Sequence, residues 1–169
     1  MTTKKEEKLS FDLKENFLWS LEEEVGHKVG VVMCRRVSDN KLIDVSDCGR
    51  KYCAAWLTKF LLGVGNRHIR FITEPHATVE ATEKDLLKSG WEKRRSSNGI
   101  FTFLKPGDIL VWEKKMIFGN ENEHIGFFKS LSTHTAVSTC AELRCVREHH
   151  YTFENTRQIL RAYFHPILQ

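Results

Sequence analysis

The chain has 169 residues, of which 41% are hydrophobic and 28% charged, so it can bury one core of ordinary domain size beneath a charged surface. Its 26 Lys and Arg stand against 22 Asp and Glu, and the resulting net charge of +4 is scattered rather than blocked, which gives no case for a nucleic-acid partner. No run approaches the ~20 apolar residues a membrane span requires, and an odd five cysteines (Cys34, Cys48, Cys53, Cys140, Cys145) argue against a disulfide framework.

Residues 1–9 are polar and read as a flexible tail, with a single domain over 10–169. The start has no apolar signal core, so synthesis in the cytoplasm without an export signal is expected. Ser10 can cap a helix running to about Val25, with Phe11, Phe17, Leu18, Leu21 and Val25 on one broad face and Gly26 as its stop. Residues 29–34 look extended, Ser38–Lys41 turn-like, and 44–52 a polar approach to the next element. Lys51–Gly65 then carries Ala54, Leu57, Leu61 and Val64 at helical spacing, with Trp56 and Phe60 as a second apolar row. Apolar residues on nearly every side predict a buried helix, with Gly63 and Gly65 as stop signals.

Thr78 is placed to cap a helix over 79–89, with Val79, Leu86 and Leu87 inward and Gly90 as its C-terminal cap. Residues 92–105 read as a charged connection with a turn at 96–99. The period then changes to that of strands: 109–112, a turn at 118–123, 124–131, 135–140, a segment near 143–146, and 158–164 to close the sheet. Helices first and an antiparallel meander second predict an α+β domain.

Cys53 stands at a helix head, where a cysteine is either a small packed core residue or an activated nucleophile. Cys53 opens the buried helix, and the positive end of a helix favours thiolate, the nucleophilic form. A thiolate needs a base, and His124, at the start of a strand after a polar turn, is the candidate to hold the ion pair and to protonate a leaving amine. A third polar group should orient the imidazole from the neighbouring strand, within 135–140. The spacings Cys48-x4-Cys53 and Cys140-x4-Cys145 do not match zinc sites, and His27, His68, His76 and His165 lack metal-ligand spacing. His149 and His150, if extended, point their rings opposite ways.

Three segments resemble the CHAP and NlpC-like cysteine peptidases and amidases. They are Tyr52-Cys53-Ala54-Ala55-Trp56-Leu57 with its helix, Leu86-Leu87-Lys88-Ser89-Gly90-Trp91, and Pro106-Gly107-Asp108-Ile109-Leu110-Val111-Trp112 followed by Glu123-His124-Ile125-Gly126-Phe127-Phe128. The resemblance covers about residues 10–165 and implies a papain-like fold, with N-terminal helices packed on a C-terminal antiparallel β-sheet. It implies a peptidoglycan hydrolase cutting a peptide or amide bond, with Cys53 as nucleophile and His124 as base. The cysteine-before-histidine order fits the hydrolases rather than the permuted acyltransferases.

The chain departs from that pattern at three points. Tyr52 stands where many members carry Gln or Asp, leaving the Cys53 N–H as one oxyanion donor and the Tyr52 hydroxyl as a candidate second. Ser138 falls by register at the orienting position, with His134, Cys140, Glu142, His149 and His150 as rivals, and a neutral hydroxyl stabilises imidazolium less than a carboxylate or amide. Asp44 and Asp47 lie where some members bind calcium but lack the full acidic cluster, so no metal and no cofactor are expected. The implied partners are peptidoglycan or another peptide or amide substrate, and an immunity protein or inhibitor, with the chain a monomer. A phage-type lysin or injected effector is the first reading. A cytoplasmic amidase or isopeptidase is the second, and a degenerate binding module is the third.

Overall fold

The computed structural model describes residues 12–30, 33–36, 38–44, 52–65, 69–94, 103–117, 120–153 and 158–169. The tail 1–9, Ser10, Asp47, Cys48, His68 and the turn at 96–99 lie outside the described residues. Three helices precede the main sheet. Helix α1 (Leu13–Glu23) is capped by Asp12, whose carboxylate accepts from the Glu15 N–H at 3.0 Å, and it buries Phe17 and Leu21 one turn apart. Gly26, at φ +90°, turns the chain out of it. Strands β1 (Met33–Arg35) and β2 (Leu42–Asp44) form a small antiparallel ribbon, closed by Asn40 at φ +58°.

Helix α2 (Cys53–Val64) is buried on nearly every side, as its composition predicts: Ala54, Ala55, Trp56, Leu57, Thr58, Phe60 and Leu61 are all inside. Gly63 lies within the helix, and Gly65 ends it. Helix α3 (Val79–Lys88) begins where expected, with the Thr78 hydroxyl accepting from the Ala81 N–H at 3.2 Å. Its buried stripe is Val79, Thr82, Asp85 and Leu86; Leu87, read as inward, is 48% exposed because it lies about 100° around the helix from Leu86.

The main sheet has six antiparallel strands in the order β3-β8-β4-β5-β6-β7. These are β3 (Glu92–Arg94), β4 (Ile109–Ile117), β5 (Asn120–Ser130), β6 (Thr135–Cys140), β7 (Cys145–His150) and β8 (Ile159–Phe164). The class is therefore α+β. Two expectations fail locally. The charged connection after α3 begins with a strand, because Glu92–Arg94 pairs with Phe164–Ala162 and the Arg94 guanidinium lies 3.8 Å over the Phe164 ring. The turn read at 118–123 is shorter, because β4 and β5 continue pairing out to Ile117 and Asn120.

Each face of the sheet is covered. Toward the helices, Ile109, Val111, Ile125, Phe127, Val137, Val146 and Tyr163 meet Phe17, Trp56, Phe60 and Leu61. Phe127 sits at the centre, its ring centroid 5.1 Å from Phe60, 5.6 Å from Phe17 and 5.7 Å from Trp56. On the opposite face Leu110, Trp112, Phe128, Ala136, Ile159 and Ala162 pack under Leu104, with Phe103, Tyr151 and Phe153 against them.

Two buried carboxylates pin connecting segments, Asp85 the 73–76 loop and Asp108 the turn before β4, and their pKa values are shifted in opposite directions. Asp85 accepts from the Thr73 N–H (3.0 Å), the Thr73 hydroxyl (2.8 Å), the Glu74 N–H (3.2 Å) and His76 Nε2 (2.8 Å). Burial pushes its pKa up, but the bonds from Thr73, His76 and the two amides outweigh that and leave it below the usual range. A lowered carboxylate stabilises the fold above its unfolded pKa, and that contribution disappears as pH falls through the folded value. Asp85→Ala strands those donors, so urea unfolding should show a loss of roughly 2–4 kcal/mol at neutral pH.

Asp108 accepts from the Lys105 N–H at 2.9 Å and from Gln169 Nε2 at 2.8 Å, fixing the Pro106–Gly107 turn at the start of β4. Here burial prevails over those bonds and the pKa rises to about 6. A raised carboxylate favours the fold when protonated. Its contribution is full below the unfolded value of about 3.9 and is lost as pH rises through about 6. Unfolding free energies measured from pH 4 to 7 should fall by on the order of 3 kcal/mol more in the wild type than in Asp108→Asn.

Candidate active site

Cys53 is the first residue of α2 and is half-buried with a reduced thiol. Tyr52, the cap position, makes no side-chain capping bond, and the first turn contains no acidic residue. The helix's positive end is therefore not neutralised by its own sequence, the condition under which it favours an anionic sulfur. Tyr52 lines one end of a groove of about 540 Å³ that runs along α2 past Trp56, Lys59 and Val64, with Glu24 and His27 opposite; Cys53 is not among its lining residues. Burial and then the nearby Glu24 carboxylate raise the Tyr52 hydroxyl above its ordinary pKa, keeping it a neutral donor. Trp56 Nε1 donates to Glu24 at 2.9 Å, which joins the two helices across the groove.

His124 and Ser138 come together. His124 Nε2 lies 2.7 Å from Ser138 Oγ, and Ser138 is 1% exposed. The structure adds a third member. Ser138 Oγ is also 2.7 Å from His149 Nε2, and His149 Nδ1 is 2.8 Å from the His150 carbonyl. Rings surround the group: Trp112 lies 5.5 Å from His124 and 5.7 Å from His149, and Phe153 stacks on His149 at 3.9 Å. Gly126 makes the arrangement fit, because a Cβ there would stand 2.6 Å from Ser138 Cβ and 2.5 Å from the Val137 carbonyl.

The other rivals for the orienting role are elsewhere. His134 is in the β5–β6 turn at φ +54°, and its ring faces those of His150 and Tyr151. Glu142 is exposed in the β6–β7 turn, and Cys140 pairs with Cys145 across that turn. The sequence could have singled out His149. A four-residue turn at 141–144 sets Cys140 opposite Cys145 and hence Ala136 opposite His149, within diagonal reach of Ser138.

Alternation along β5 assigns the layers. Ile125 and Phe127 face α2, whereas His124 projects with Phe128 toward the second cluster. Cys53 packs against the first cluster. Cys53 and His124 are thus rooted on different faces of the sheet, and any meeting of the two falls where the head of α2 reaches the margin of the sheet. The register supplies such a margin: continued past Phe127–Val137, it places His124 level with Cys140, the last residue of β6, and α2 packs on both β5 and β6.

Next to His124, Glu123 accepts from Arg161 at 3.0 Å, and Arg161 also grips Glu83 of α3 at 2.5 and 3.0 Å. Burial alone would lower the Arg161 pKa, but Glu83 and then Glu123 hold it above the ordinary value. This clamp fixes the backbone just before His124 to α3. Among the described residues, no group of three or more His, Cys, Asp or Glu is placed to hold a metal ion, and no helix is long and apolar enough to cross a membrane. Comparison of the chain with protein-family models, with curated proteins and with solved structures finds no match.

Proposed function

We propose that this chain is a papain-like thiol hydrolase acting on a peptide or amide bond, with Cys53 as nucleophile and His124 as base. The observation that carries the reading is the 2.7 Å contact between His124 and Ser138, the residue that strand register offers as the orienter, in a sheet that receives a helix headed by Cys53. His124 takes the thiol proton, and the thiolate attacks the carbonyl carbon. The Cys53 N–H at the helix head stabilises the oxyanion, with the neutral Tyr52 hydroxyl as the second candidate donor. The imidazolium then protonates the leaving nitrogen as the C–N bond breaks, giving a thioester. Water, deprotonated by His124, attacks that thioester, the C–S bond breaks to release the carboxylic acid, and the imidazolium returns its proton to the sulfur, regenerating the free thiol and the neutral base.

The substrate class we favour is the peptide part of peptidoglycan, on the resemblance of the Cys53, Pro106–Trp112 and His124–Phe128 segments to wall hydrolases. Digestion of purified peptidoglycan should release new amines or free stem peptide. Turnover of soluble amides alone would move the substrate to a non-wall amide, and saturable binding without turnover would sink the hydrolase reading.

A further inference from the structure

We propose that His149 is a positioning residue: through Ser138 it fixes the tautomer of His124 and so decides which ring nitrogen takes the thiol proton. The inference rests on reading His124 as the base. It follows from one backbone carbonyl and three short contacts.

The His150 carbonyl can only accept, so His149 Nδ1, 2.8 Å away, carries the hydrogen. A neutral imidazole has one N–H, which leaves His149 Nε2 as an acceptor. Its partner at 2.7 Å is Ser138 Oγ, so the single hydroxyl proton of Ser138 points to His149. That proton is then committed, and Ser138 Oγ meets His124 Nε2, also at 2.7 Å, with a lone pair. With both rings neutral, His124 Nε2 is then the protonated nitrogen and Nδ1 the basic one. Each link takes its direction from the one before, starting at a group that cannot reverse.

The relay also accounts for a hydroxyl in the orienting position. With its proton held by His149, Ser138 turns the negative end of its dipole to His124. A proton taken on Nδ1 makes an imidazolium whose Nε2–H already faces that oxygen. At 1% exposure Ser138 has no bulk water to compete for its lone pairs, and Phe153 stacked at 3.9 Å holds the His149 ring in plane.

The test is a two-bond nitrogen–hydrogen NMR correlation of the histidine rings, recorded at the alkaline plateau of the His124 titration, where the ring is neutral. The wild type should show His124 as the Nε2–H tautomer, in excess by roughly tenfold, the factor one hydrogen bond supplies. His149→Phe frees the Ser138 proton, and His124 should become a mixture of tautomers. His149→Gln keeps an acceptor facing Ser138 and should restore the excess. A wild-type His124 protonated on Nδ1, or a tautomer ratio that His149→Phe leaves unchanged, would overturn the relay. Thiol reactivity is read separately: Nε2–H at His124 with an unactivated Cys53 supports the relay and removes the base assignment, whereas Nδ1–H with an activated Cys53 does the reverse.

Discussion

Cys53→Ala should remove turnover on peptidoglycan and on any soluble amide, with kcat falling on the order of 10⁴-fold or more and the fold retained. Loss of the attacking atom leaves only binding and oxyanion stabilisation, which cannot form the thioester. The structural cost is small because the substitution deletes one half-buried sulfur at a helix end and leaves the α2 backbone untouched. Circular dichroism and urea unfolding should match the wild type to within about 1 kcal/mol. Retained turnover in a verified Cys53→Ala sample would remove Cys53 from the chemistry.

Gly126→Ala should be far more damaging than a single methyl suggests. The new Cβ would stand 2.5 Å from the Val137 carbonyl oxygen and 2.6 Å from Ser138 Cβ. A backbone carbonyl in a sheet ladder cannot swing aside like the end of a long side chain, so β5 and β6 must part. That movement is applied where Ser138 meets His124 and His149. Stability should drop by about 3 kcal/mol, and turnover should be lost even in the fraction that folds. Gly63→Ala is the matched control, since a Cβ there meets nothing within 4 Å. In the last turn of α2 it should stabilise by roughly 0.5–1 kcal/mol. Equal effects from the two substitutions would mean that the β5–β6 contact does not limit the site.

The parts of this fold that were legible in the sequence are those with one dominant signal. Helix α2 announced itself by apolar residues on every side, α3 by Thr78 and Gly90, and the centres of β4, β5 and β6 by short apolar runs. Strand β3 was hidden because Glu92-Lys93-Arg94 carries no apolar alternation; it is held by register against β8 and by Arg94 over Phe164. The outer half of the β4–β5 hairpin was hidden for the same reason, being charged at Glu113–Lys115 and Glu121–Glu123. In the site, the Ser138–His124 contact was legible from strand order, because neighbouring strands bring equivalent positions together. The His149 contact needed the register across a second turn. The layer each side chain enters is a further step, set by the pleat, and it sets the His124 ring beside Trp112.

The proposed chemistry requires Cys53 and His124 to act as a pair. The direct measurement is the rate of Cys53 alkylation by iodoacetamide across pH, read by peptide mapping so that Cys140 and Cys145 are counted apart, in the wild type and in His124→Gln. A paired thiolate at a helix head should still react near pH 6, well below the ~8.5 at which a free thiol titrates, and His124→Gln should return it to ordinary behaviour. Reaction of Cys53 that follows the ordinary thiol curve in both proteins would rule out a Cys53–His124 pair.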